Sequence, residues 1–302
     1  MIALSIPSPG DPFLFKVDGI QVRWYGVLLA AGVLLAGWIA RREFRRRGFD
    51  PELAYSIAVW TVPLGLVGAR LYHVVTDWSA FSNHLIDTVK IWKGGLGIYG
   101  AVLGGMLGTL IGCRRVRLPF WAVADCIAPG LVLAQALGRW GNYFNQELYG
   151  KPSDLPWAVK IDHPQLPYHE GQTFTPTFLY ESLWDLLVFL VLWRFIRRFW
   201  NRVPAATVFA LYATLYSFGR IWVESLRIDP AHHYFGQRLN VWVASAVTIV
   251  AGIVFVILFR RRTPAPTAAA PATAAPAVGG HTPTARPEAA IAARLRTKRR
   301  RR

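Results

Sequence analysis

Seven long stretches of apolar residues alternate with shorter polar stretches along the chain. A helix needs roughly 20 mostly apolar residues to cross the hydrocarbon core of a bilayer, so each stretch predicts a membrane-spanning helix. We therefore predict an all-α polytopic membrane protein with seven transmembrane helices and a small extracytoplasmic cap. The predicted spans are residues 22–40, 53–75, 96–113, 120–137, 176–195, 205–223 and 241–259.

Arginine clusters give the predicted orientation of these spans. Dense clusters follow the first, third, fifth and seventh spans, whereas the loops after the second, fourth and sixth are poor in Lys and Arg. Loops rich in Lys and Arg stay on the cytoplasmic side of a membrane. We therefore expect the N-terminus outside and the C-terminus in the cytoplasm, which an odd number of spans allows.

The parts of the chain outside the spans predict a cap and a tail. The membrane domain covers residues 1–262, and its segment 138–175 ends in a proline-rich outer loop with a predicted strand at 157–161. We expect that segment to form an ordered cap. Residues 263–302 are rich in Ala, Pro and Thr and end in a basic run, which predicts a disordered cytoplasmic tail. The basic run suits either contact with anionic lipid or no essential role.

The composition favours a membrane protein over a nucleic-acid-binding protein. Of the 302 residues, 53% are hydrophobic and 17% are charged, and 13 are Trp. The net charge of +17 is divided among short clusters between apolar stretches and does not form one basic patch, so we predict no nucleic-acid partner. Cys113 and Cys126 do not show a metal-binding spacing, and we predict no cleavable signal sequence at the N-terminus.

Polar and aromatic residues are concentrated in the segment 138–150, GRWGNYFNQELYG, directly after the fourth predicted span. An ionisable residue at the centre of a span costs about 2.5–3.5 kcal/mol on insertion scales, so it usually faces the bundle interior and a partner. We therefore consider the ionisable residues in or beside the spans to be candidates for function. They are Arg70, Arg139, Glu147, Glu181, Arg220 and Glu224, with Asp125 and Asp185 as weaker candidates.

The sixth span carries polar residues on one face. Tyr216, Arg220, Glu224 and Arg227 follow a spacing that places all four on the same side of a helix. Together with Arg139, Arg220 would present two guanidiniums near the outer leaflet, a geometry suited to a phosphate oxyanion. This predicts an anionic phospholipid headgroup as ligand, with Asn142 and Glu147 orienting the guanidiniums or bonding hydroxyl groups. An alternative for Arg227 is a side chain that extends to the membrane surface.

Two further features have both a structural and a functional interpretation. Tyr25 at the start of the first span is either an anchor in the aromatic belt of the membrane interface or a site residue. The glycine-rich stretch 94–105 allows close helix packing or close approach of a ligand, and helix packing is the favoured role.

The segment 138–150 resembles the signature of bacterial prolipoprotein diacylglyceryl transferases, G-R-x-[GA]-N-[FY]-x-N-x-E-x-x-G. Further similar stretches follow in the same order along residues 13–260. They are RWYG, GARLYH, GGLGIYG, TPTFLYE and GRIWVESLRIDP. The resemblance implies a multi-pass enzyme of the plasma or inner membrane, with its active site toward the outer face.

The resemblance also implies the reaction and the residues of the site. Such enzymes transfer the diacylglyceryl group of phosphatidylglycerol to the thiol of the lipobox cysteine of a prolipoprotein and release glycerol 1-phosphate. No metal or soluble cofactor is implied. By position in the motifs, the expected catalytic residues are Arg139, Arg220, Glu147, Glu224 and Tyr25. The expected phosphatidylglycerol-binding residues are Arg139, Asn142, Arg220, Arg227, Tyr99 and Arg70.

Tyr99 departs from the family pattern, because many members carry a histidine at this position, and that histidine is a candidate base. A free cysteine thiol has a pKa of about 8.5, so activation or a positive field still assists its attack. We expect the paired arginines to bind the phosphate and stabilise the leaving phosphate ester. Tyr99 would then position the substrate, and Glu147 or Glu224 would accept the proton.

Two other classes of protein compete with a transferase. A transporter or flippase for an anionic lipid or solute also needs arginines inside a bundle, but it predicts inverted repeats and broken helices near the midplane. No clear repeat relates the two halves of this sequence. A structural scaffold does not explain the ionisable residues within the spans.

Overall fold

The computed structural model describes residues 5–17, 20–82, 84–90, 94–231 and 233–263. The predicted tail lies almost entirely outside these residues. The described part is mostly helical, and a long helix is present at each of the seven predicted positions. The helices are α1 Trp24–Arg46, α2 Leu53–Thr76, the one-turn α3 Trp78–Phe81, α4 Ile98–Arg115, α5 Phe120–Phe144, α6 Thr177–Phe199, α7 Thr207–Leu226 and α8 Leu239–Arg260, with a 3₁₀ helix at Leu85–Val89.

Four of the long helices in the described residues are long and apolar enough to cross a membrane. They are α1, α2, α5 and α8. Helices α6 and α7 carry ionisable residues along their length, Glu181 and Asp185 on α6 and Arg220 and Glu224 on α7. Their charged positions lower the mean hydropathy of these two helices, although most of their remaining residues are apolar.

The described residues also form three small antiparallel ribbons, which the prediction of an all-α protein did not include apart from one strand. They are formed by β1 Phe13–Val17 with β2 Ile20–Arg23, β3 Val159–Lys160 with β4 Thr173–Phe174, and β5 His233–Tyr234 with β6 Gln237–Arg238. Strand β3 lies inside the predicted strand 157–161. All three ribbons lie at the end of the bundle where α1, α6 and α8 begin, which we call the capped end.

All seven long helices continue beyond their predicted ends, and α1 and α5 do so by the most. Helix α1 extends through the arginine cluster to Arg46, with Glu43 and Phe44 buried, and its extension is rich in Arg, which favours helical conformation. Helix α5 extends to Phe144 through GRWGNYF, whose two glycines do not favour a helix, so intrinsic propensity does not account for that end. Arg139 and Asn142 therefore lie on a helix and not in a loop.

Glycines in the stretch 94–105 allow α2 and α4 to pack with their backbones in contact. A Cβ atom at Gly100 would clash with the carbonyl of Gly68, and one at Gly104 would clash with the carbonyl of Leu64. Close backbone approach of this kind is the usual role of small residues between membrane helices. The favoured interpretation of this stretch, helix packing, agrees with the structure.

The main core lies toward the end of the bundle opposite the ribbons, which we call the arginine-rich end. Phe44, Ile57, Val123 and Leu192 are almost completely buried there, on four different helices. Asp125 on α5 joins two neighbouring elements at this end, since it accepts hydrogen bonds from Arg47 Nη2 at 2.9 Å and from the amide of Phe209 at 2.9 Å. Asp125, a weaker sequence candidate, thus has a structural role at the start of α7.

A second, smaller core supports the cap. Tyr149, Val159, Ile161, Phe174 and Phe178 pack together between the ribbon β3–β4 and the start of α6. The cap is fixed to the end of α5 by a reciprocal pair of hydrogen bonds, Gln146 Nε2 to Asp162 Oδ2 at 2.8 Å and the Asp162 amide to Gln146 Oε1 at 2.7 Å. Hydrogen bonds from Ser8 and Gln146 lower the pKa of Asp162, so its carboxylate stays ionised.

Candidate active site

The segment 138–150 turns sharply as it leaves α5. Gln146 and Leu148 both adopt positive φ angles, 53° and 60°, an uncommon conformation for residues other than glycine. Within this turn, Glu147 Oε1 accepts hydrogen bonds from Asn142 Nδ2 at 2.8 Å and from Asn145 Nδ2 at 3.2 Å. Two asparagines of the motif therefore hold its glutamate against the end of α5.

Gly150 ends the segment at a crowded contact. Its amide donates to the carbonyl of Thr175 at 2.9 Å, and the residue forms a β-bridge with Arg227. A Cβ atom at this position would lie 2.9 Å from the carbonyl oxygen of Leu226. A glycine here thus brings the segment against the end of α7, which carries the other predicted arginines.

A carboxylate on α6 joins the two central arginines. Glu181 Oε2 lies 2.5 Å from Arg139 Nε, and Glu181 Oε1 accepts a hydrogen bond of 2.9 Å from Arg220 Nη1. The two guanidiniums come from α5 and α7, so one buried glutamate fixes them beside each other. Arg139 Nη2 also donates to the hydroxyl of Tyr216 at 3.4 Å.

Glu224 is the centre of a second group of ion pairs. Its side chain is completely buried, with Oε2 2.7 Å from Arg220 Nη2 and 3.6 Å from Arg227 Nη1. Its Oε1 accepts from Arg238 Nε at 2.9 Å and from Asn240 Nδ2 at 3.0 Å. Three guanidiniums and an amide therefore surround one carboxylate.

Asp229 extends this network into the loop after α7. Its carboxylate lies 2.7 Å from Arg227 Nε and 2.8 Å from Arg238 Nη2. Burial alone would raise the pKa of Asp229, but hydrogen bonds and charges from Arg227 and Arg238 together lower it below its ordinary value. We call the whole set the arginine network. Its members are Arg139, Glu181, Arg220, Glu224, Arg227, Asp229 and Arg238.

The arginine network carries a net positive charge and exposes that charge to a cavity. It contains four guanidiniums and three carboxylates. The side chains of Arg139 and Arg220 keep 17% and 20% of their surface exposed, whereas those of Glu181 and Glu224 keep 8% and 0%. The carboxylates thus orient the guanidiniums from behind, and the guanidiniums present N–H donors to the cavity. An anion is the ligand that this arrangement favours.

The cavity has a volume of about 720 Å³. It follows α1 from Tyr25 to Phe44, which at 1.5 Å per residue is roughly 28 Å of helix. Near the capped end the cavity is polar. Farther along, its lining consists almost entirely of apolar residues of α1, α2 and α5. We call this second part the apolar pocket. It is lined by Ala40, Phe44, Ala54, Ile57, Ala58, Val62, Ile127 and Leu131 with one hydroxyl, from Thr61.

Six of the nine predicted site residues line this cavity. They are Tyr25, Tyr99, Arg139, Asn142, Arg220 and Arg227. Glu147 and Glu224 do not line it, but each contacts a residue that does. The ring of Tyr25 packs directly against Gly141, where a Cβ atom would clash with it. The structure therefore places Tyr25 against the motif helix and not only at the edge of the bundle.

Arg70 is separate from the cavity. Its guanidinium donates to the backbone carbonyls of Thr88 at 2.8 Å and of Gly94 at 2.6 Å, and also to that of Asp87. These carbonyls belong to the connection between α2 and α4. The structure gives this predicted lipid-binding residue a local partner set and does not bring it to the other site residues.

Sequence reasoning missed several residues of the site. Glu181 was considered as an ionisable residue but was not assigned to the site, although its position four residues before Asp185 on an apolar helix was a usable signal. Arg238 and Asn240 were not considered, because they flank the start of α8 next to a polar loop. Gly219, next to Arg220 on α7, lies against the indole of Trp184, which a Cβ atom at this position would clash with.

Comparisons with known proteins agree with the resemblance in the motifs. The family model described as prolipoprotein diacylglyceryl transferase matches residues 12–258. Relatives named phosphatidylglycerol–prolipoprotein diacylglyceryl transferase include one from Frankia alni, 46% identical over 86% of this chain and 69% of the relative. A relative from Streptomyces griseus is 46% identical over 83% of this chain and 77% of its own length. One from Synechococcus elongatus is 40% identical over 87% of this chain and 93% of its own length.

The matched region includes six of the long helices, α8 as far as Leu258, the segment 138–150 and every member of the arginine network. The apolar helices and this match identify a membrane protein. The chain belongs to the prolipoprotein diacylglyceryl transferase family.

Proposed function

We propose that this protein transfers the diacylglyceryl group of phosphatidylglycerol to the thiol of the lipobox cysteine of a prolipoprotein, the first step of bacterial lipoprotein maturation. The observation that carries the proposal is the pair Arg139 and Arg220, fixed by Glu181 at the polar end of an otherwise apolar cavity. Phosphatidylglycerol has the same division, because its phosphate diester is anionic and its two acyl chains are apolar. The names of the relatives support the same reaction.

The reaction exchanges one bond for another at a single carbon. The cysteine sulfur attacks the glyceryl carbon that carries the phosphate ester, a carbon–sulfur bond forms, and the carbon–oxygen bond to phosphate breaks. Glycerol 1-phosphate leaves with the bonding electron pair, and the thiol proton passes to a base. Negative charge grows on the phosphate oxygens during this step, so guanidiniums that are already oriented lower the barrier.

Arg139 and Arg220 would bind the phosphate oxygens, and Arg227 would contribute from the rim of the same cavity. A guanidinium presents its N–H donors in a fixed planar fork that fits two phosphate oxygens. Because Glu181 holds both guanidiniums and Glu224 also holds that of Arg220, the guanidiniums need little reorganisation when the lipid binds. Asn142 and Tyr25 would border the headgroup next to Arg139.

Glu147 is the better candidate for the proton acceptor. Glu224 is surrounded by Arg220, Arg227 and Arg238, and its charge is engaged in the network. Glu147 is exposed and is held only by two asparagine amides. It can therefore take up a proton and release it to water without breaking an ion pair.

The apolar pocket would hold acyl-chain atoms of the lipid. It continues from the polar end of the cavity without a break, and its lining is aliphatic and aromatic apart from Thr61. Each buried methylene contributes about 0.8 kcal/mol to transfer from water. Apolar contacts there would favour lipids whose chains reach the pocket.

Seven transmembrane helices with the N-terminus outside would place this site at the outer face of the plasma or inner membrane. The arginine clusters support that orientation, because Arg46, Arg115, Arg198 and Arg260 end α1, α4, α6 and α8 at the end of the bundle away from the cap. An outward-facing site is required if the enzyme meets prolipoproteins after their signal peptides enter the membrane.

A transfer assay tests the proposal. Purified protein in detergent is incubated with phosphatidylglycerol and a lipobox peptide, and mass spectrometry follows the gain of one diacylglyceryl group by the peptide. We expect the product with the unchanged protein, and none with a peptide whose cysteine is replaced by serine or with Arg139→Ala.

Absence of product from folded protein that still binds phosphatidylglycerol would contradict the proposal. That result would favour the alternative of a lipid transporter. Movement of labelled phosphatidylglycerol across the membrane of vesicles that contain the protein would then test this alternative. A product that forms equally well with Arg139→Ala would retain the reaction but remove the proposed role of the arginine pair.

A further inference from the structure

A short chain of hydrogen bonds connects α4 to the arginine network across the cavity wall. The hydroxyl of Tyr99 on α4 lies 2.9 Å from Asn240 Oδ1 at the start of α8, and Asn240 Nδ2 lies 3.0 Å from Glu224 Oε1. Tyr99 and Asn240 both line the cavity. Sequence patterns do not predict this link, because its three residues come from three different helices.

Glu224 fixes the direction of both hydrogen bonds. Its Oε1 accepts a hydrogen bond from Arg238 Nε, and its Oε2 lies 2.7 Å from Arg220 Nη2. Because guanidiniums can only donate, both oxygens of Glu224 act as acceptors. The atom of Asn240 that faces Glu224 must therefore be the amide nitrogen, which turns the amide oxygen toward Tyr99. Since that oxygen can only accept, the Tyr99 hydroxyl must donate its one proton to it.

Tyr99 is consequently a hydrogen-bond acceptor for any ligand in the cavity. Its proton is used by Asn240, and the lone pairs of its oxygen are the remaining polar feature of its side chain. The side chain is 40% exposed, and its ring lies 5.6 Å from that of Tyr72, which supports it from α2. Arg139 and Arg220, which line the same cavity, can only donate, so Tyr99 adds a hydrogen-bond acceptor to a site otherwise rich in donors.

We propose that Tyr99, oriented by Asn240, accepts a hydrogen bond from a hydroxyl of the polyol headgroup of the lipid substrate. The inference rests on the proposed function. It adds that the Tyr99 hydroxyl oxygen distinguishes a glycerol headgroup from the headgroups of other phosphate esters. The arginines bind the phosphate, which all phospholipids share, and the Tyr99 oxygen selects a headgroup that carries an O–H donor. An ammonium headgroup also donates, but the guanidiniums exposed to the cavity repel it.

The test compares two lipids that differ only in the headgroup hydroxyls. Phosphatidylglycerol and phosphatidylpropanol with identical acyl chains have the same phosphate diester and the same number of headgroup carbons. Transfer to a lipobox peptide is measured for each lipid with the unchanged protein and with the Tyr99→Phe, Asn240→Ala and Tyr72→Phe variants. Tyr72→Phe is the matched control, because it removes a hydroxyl from the neighbouring ring, which does not line the cavity.

We expect the unchanged protein to prefer phosphatidylglycerol by about three- to tenfold in kcat/KM, the range of one neutral hydrogen bond. Tyr99→Phe should lower kcat/KM for phosphatidylglycerol by that factor and leave it unchanged for phosphatidylpropanol. The ratio of kcat/KM for phosphatidylglycerol to kcat/KM for phosphatidylpropanol should therefore come close to one. Asn240→Ala frees the Tyr99 proton and should reduce this ratio, whereas Tyr72→Phe should keep it.

Two results would overturn the inference while leaving the proposed function intact. One is an equal kcat/KM for both lipids in the unchanged protein, a result that does not depend on whether any variant folds. The other is an equal loss on both lipids in Tyr99→Phe, which would show that the hydroxyl only maintains the structure or contacts the peptide. No transfer from either lipid by the unchanged protein would instead contradict the proposed function itself.

Discussion

Glu181 on α6 and Arg220 on α7 form a hydrogen bond of 2.9 Å inside the bundle, and the same carboxylate also pairs with Arg139 on α5. Three helices are therefore joined at one buried charge. Arg220 uses Nη1 for Glu181 and Nη2 for Glu224, and Arg139 uses Nε for Glu181, so each guanidinium keeps some of its five N–H groups for a ligand. This relationship explains how arginines can be both held rigidly and available to a phosphate.

Replacing Glu181 with Gln should separate catalysis from lipid binding. The loss of its charge leaves Arg139 and Arg220 without their common partner, and a displacement of about 1 Å in a reacting group can lower a rate about 10²-fold. We expect kcat to fall by about that factor, while the apparent Kd for phosphatidylglycerol stays the same or decreases, because the site becomes more positive. Transfer kinetics and a lipid-binding assay measure the two quantities.

The control for that variant is Glu170→Gln, which removes an exposed carboxylate paired with His163 in the cap. It should have kinetics like those of the unchanged protein. Weaker lipid binding in Glu181→Gln without a change in kcat would contradict the role of Glu181 in orienting the arginines.

Substitution of either central arginine, Arg139 or Arg220, by lysine should not preserve activity. Arg139→Lys and Arg220→Lys keep the positive charge but lose the planar fork that holds a carboxylate on one side and phosphate on the other. The loss of one oriented donor to a developing oxyanion typically costs about 10²- to 10³-fold in kcat. We expect such a decrease in both variants, measured as peptide product per minute, and little change in Arg114→Lys at the arginine-rich end. Near-normal activity in both variants would mean that charge alone suffices.

Arg70 should contribute to stability more than to catalysis. Arg70→Met removes hydrogen bonds from a charged donor to carbonyls of the connection between α2 and α4, and such bonds contribute about 1.5–3 kcal/mol each. We expect a clearly lower thermal midpoint in detergent, with the kcat/KM of the folded fraction within about threefold of normal. A normal midpoint together with a large increase in KM for phosphatidylglycerol would support the motif-based prediction that Arg70 binds lipid.

Ala58 should limit how far an acyl chain enters the apolar pocket. Ala58→Phe fills the space beside Ile57 and Ala54, so phosphatidylglycerols with long chains should lose more kcat/KM than those with short chains. A mixture of chain lengths offered in one reaction, with mass spectrometry of the products, measures this shift directly. Val59→Phe places the same bulk on the neighbouring exposed position and should leave the distribution unchanged. An unchanged distribution in Ala58→Phe would show that the chains bind elsewhere.

Asp229 should stabilise the protein at neutral pH and lose this effect in acid. Its pKa is lowered in the folded protein, so its stabilisation is complete above its ordinary pKa of 3.8 and disappears as the pH falls through the lower folded value. Asp229→Asn should therefore have a lower thermal midpoint than the unchanged protein at pH 7, and the difference should shrink below about pH 4. A difference that grows toward low pH would contradict the ion pairs of Asp229 with Arg227 and Arg238.

The helices were predictable because hydropathy reports directly on which stretches avoid water. All seven long helices begin within about two residues of their predicted positions, but α5 ends seven residues later than predicted, at Phe144. That end depends on backbone hydrogen bonding, which hydropathy does not report. The ribbon β5–β6 was also not predictable, because its two-residue strands carry no clear alternation of polar and apolar positions.

Arginines in the site were predictable from their position among apolar residues, but their partners were not. Glu224 could be placed on the face of Arg220 from helical spacing alone, whereas Glu181, Arg238 and Asn240 meet them only through the packing of other helices. Arg70 illustrates the opposite case. An arginine within a span suggests function by its cost, yet here backbone carbonyls of a nearby connection provide its partners.

The central claim is that one diacylglyceryl group moves from phosphatidylglycerol to a cysteine sulfur at the arginine pair. The most direct measurement counts both products of one reaction, the lipidated peptide by mass spectrometry and the released glycerol 1-phosphate by phosphorus NMR. We predict one molecule of glycerol 1-phosphate for each peptide that gains a diacylglyceryl group, with both falling together in Arg220→Ala. Lipidated peptide without glycerol 1-phosphate, or phosphate release that does not depend on the peptide thiol, would contradict the account.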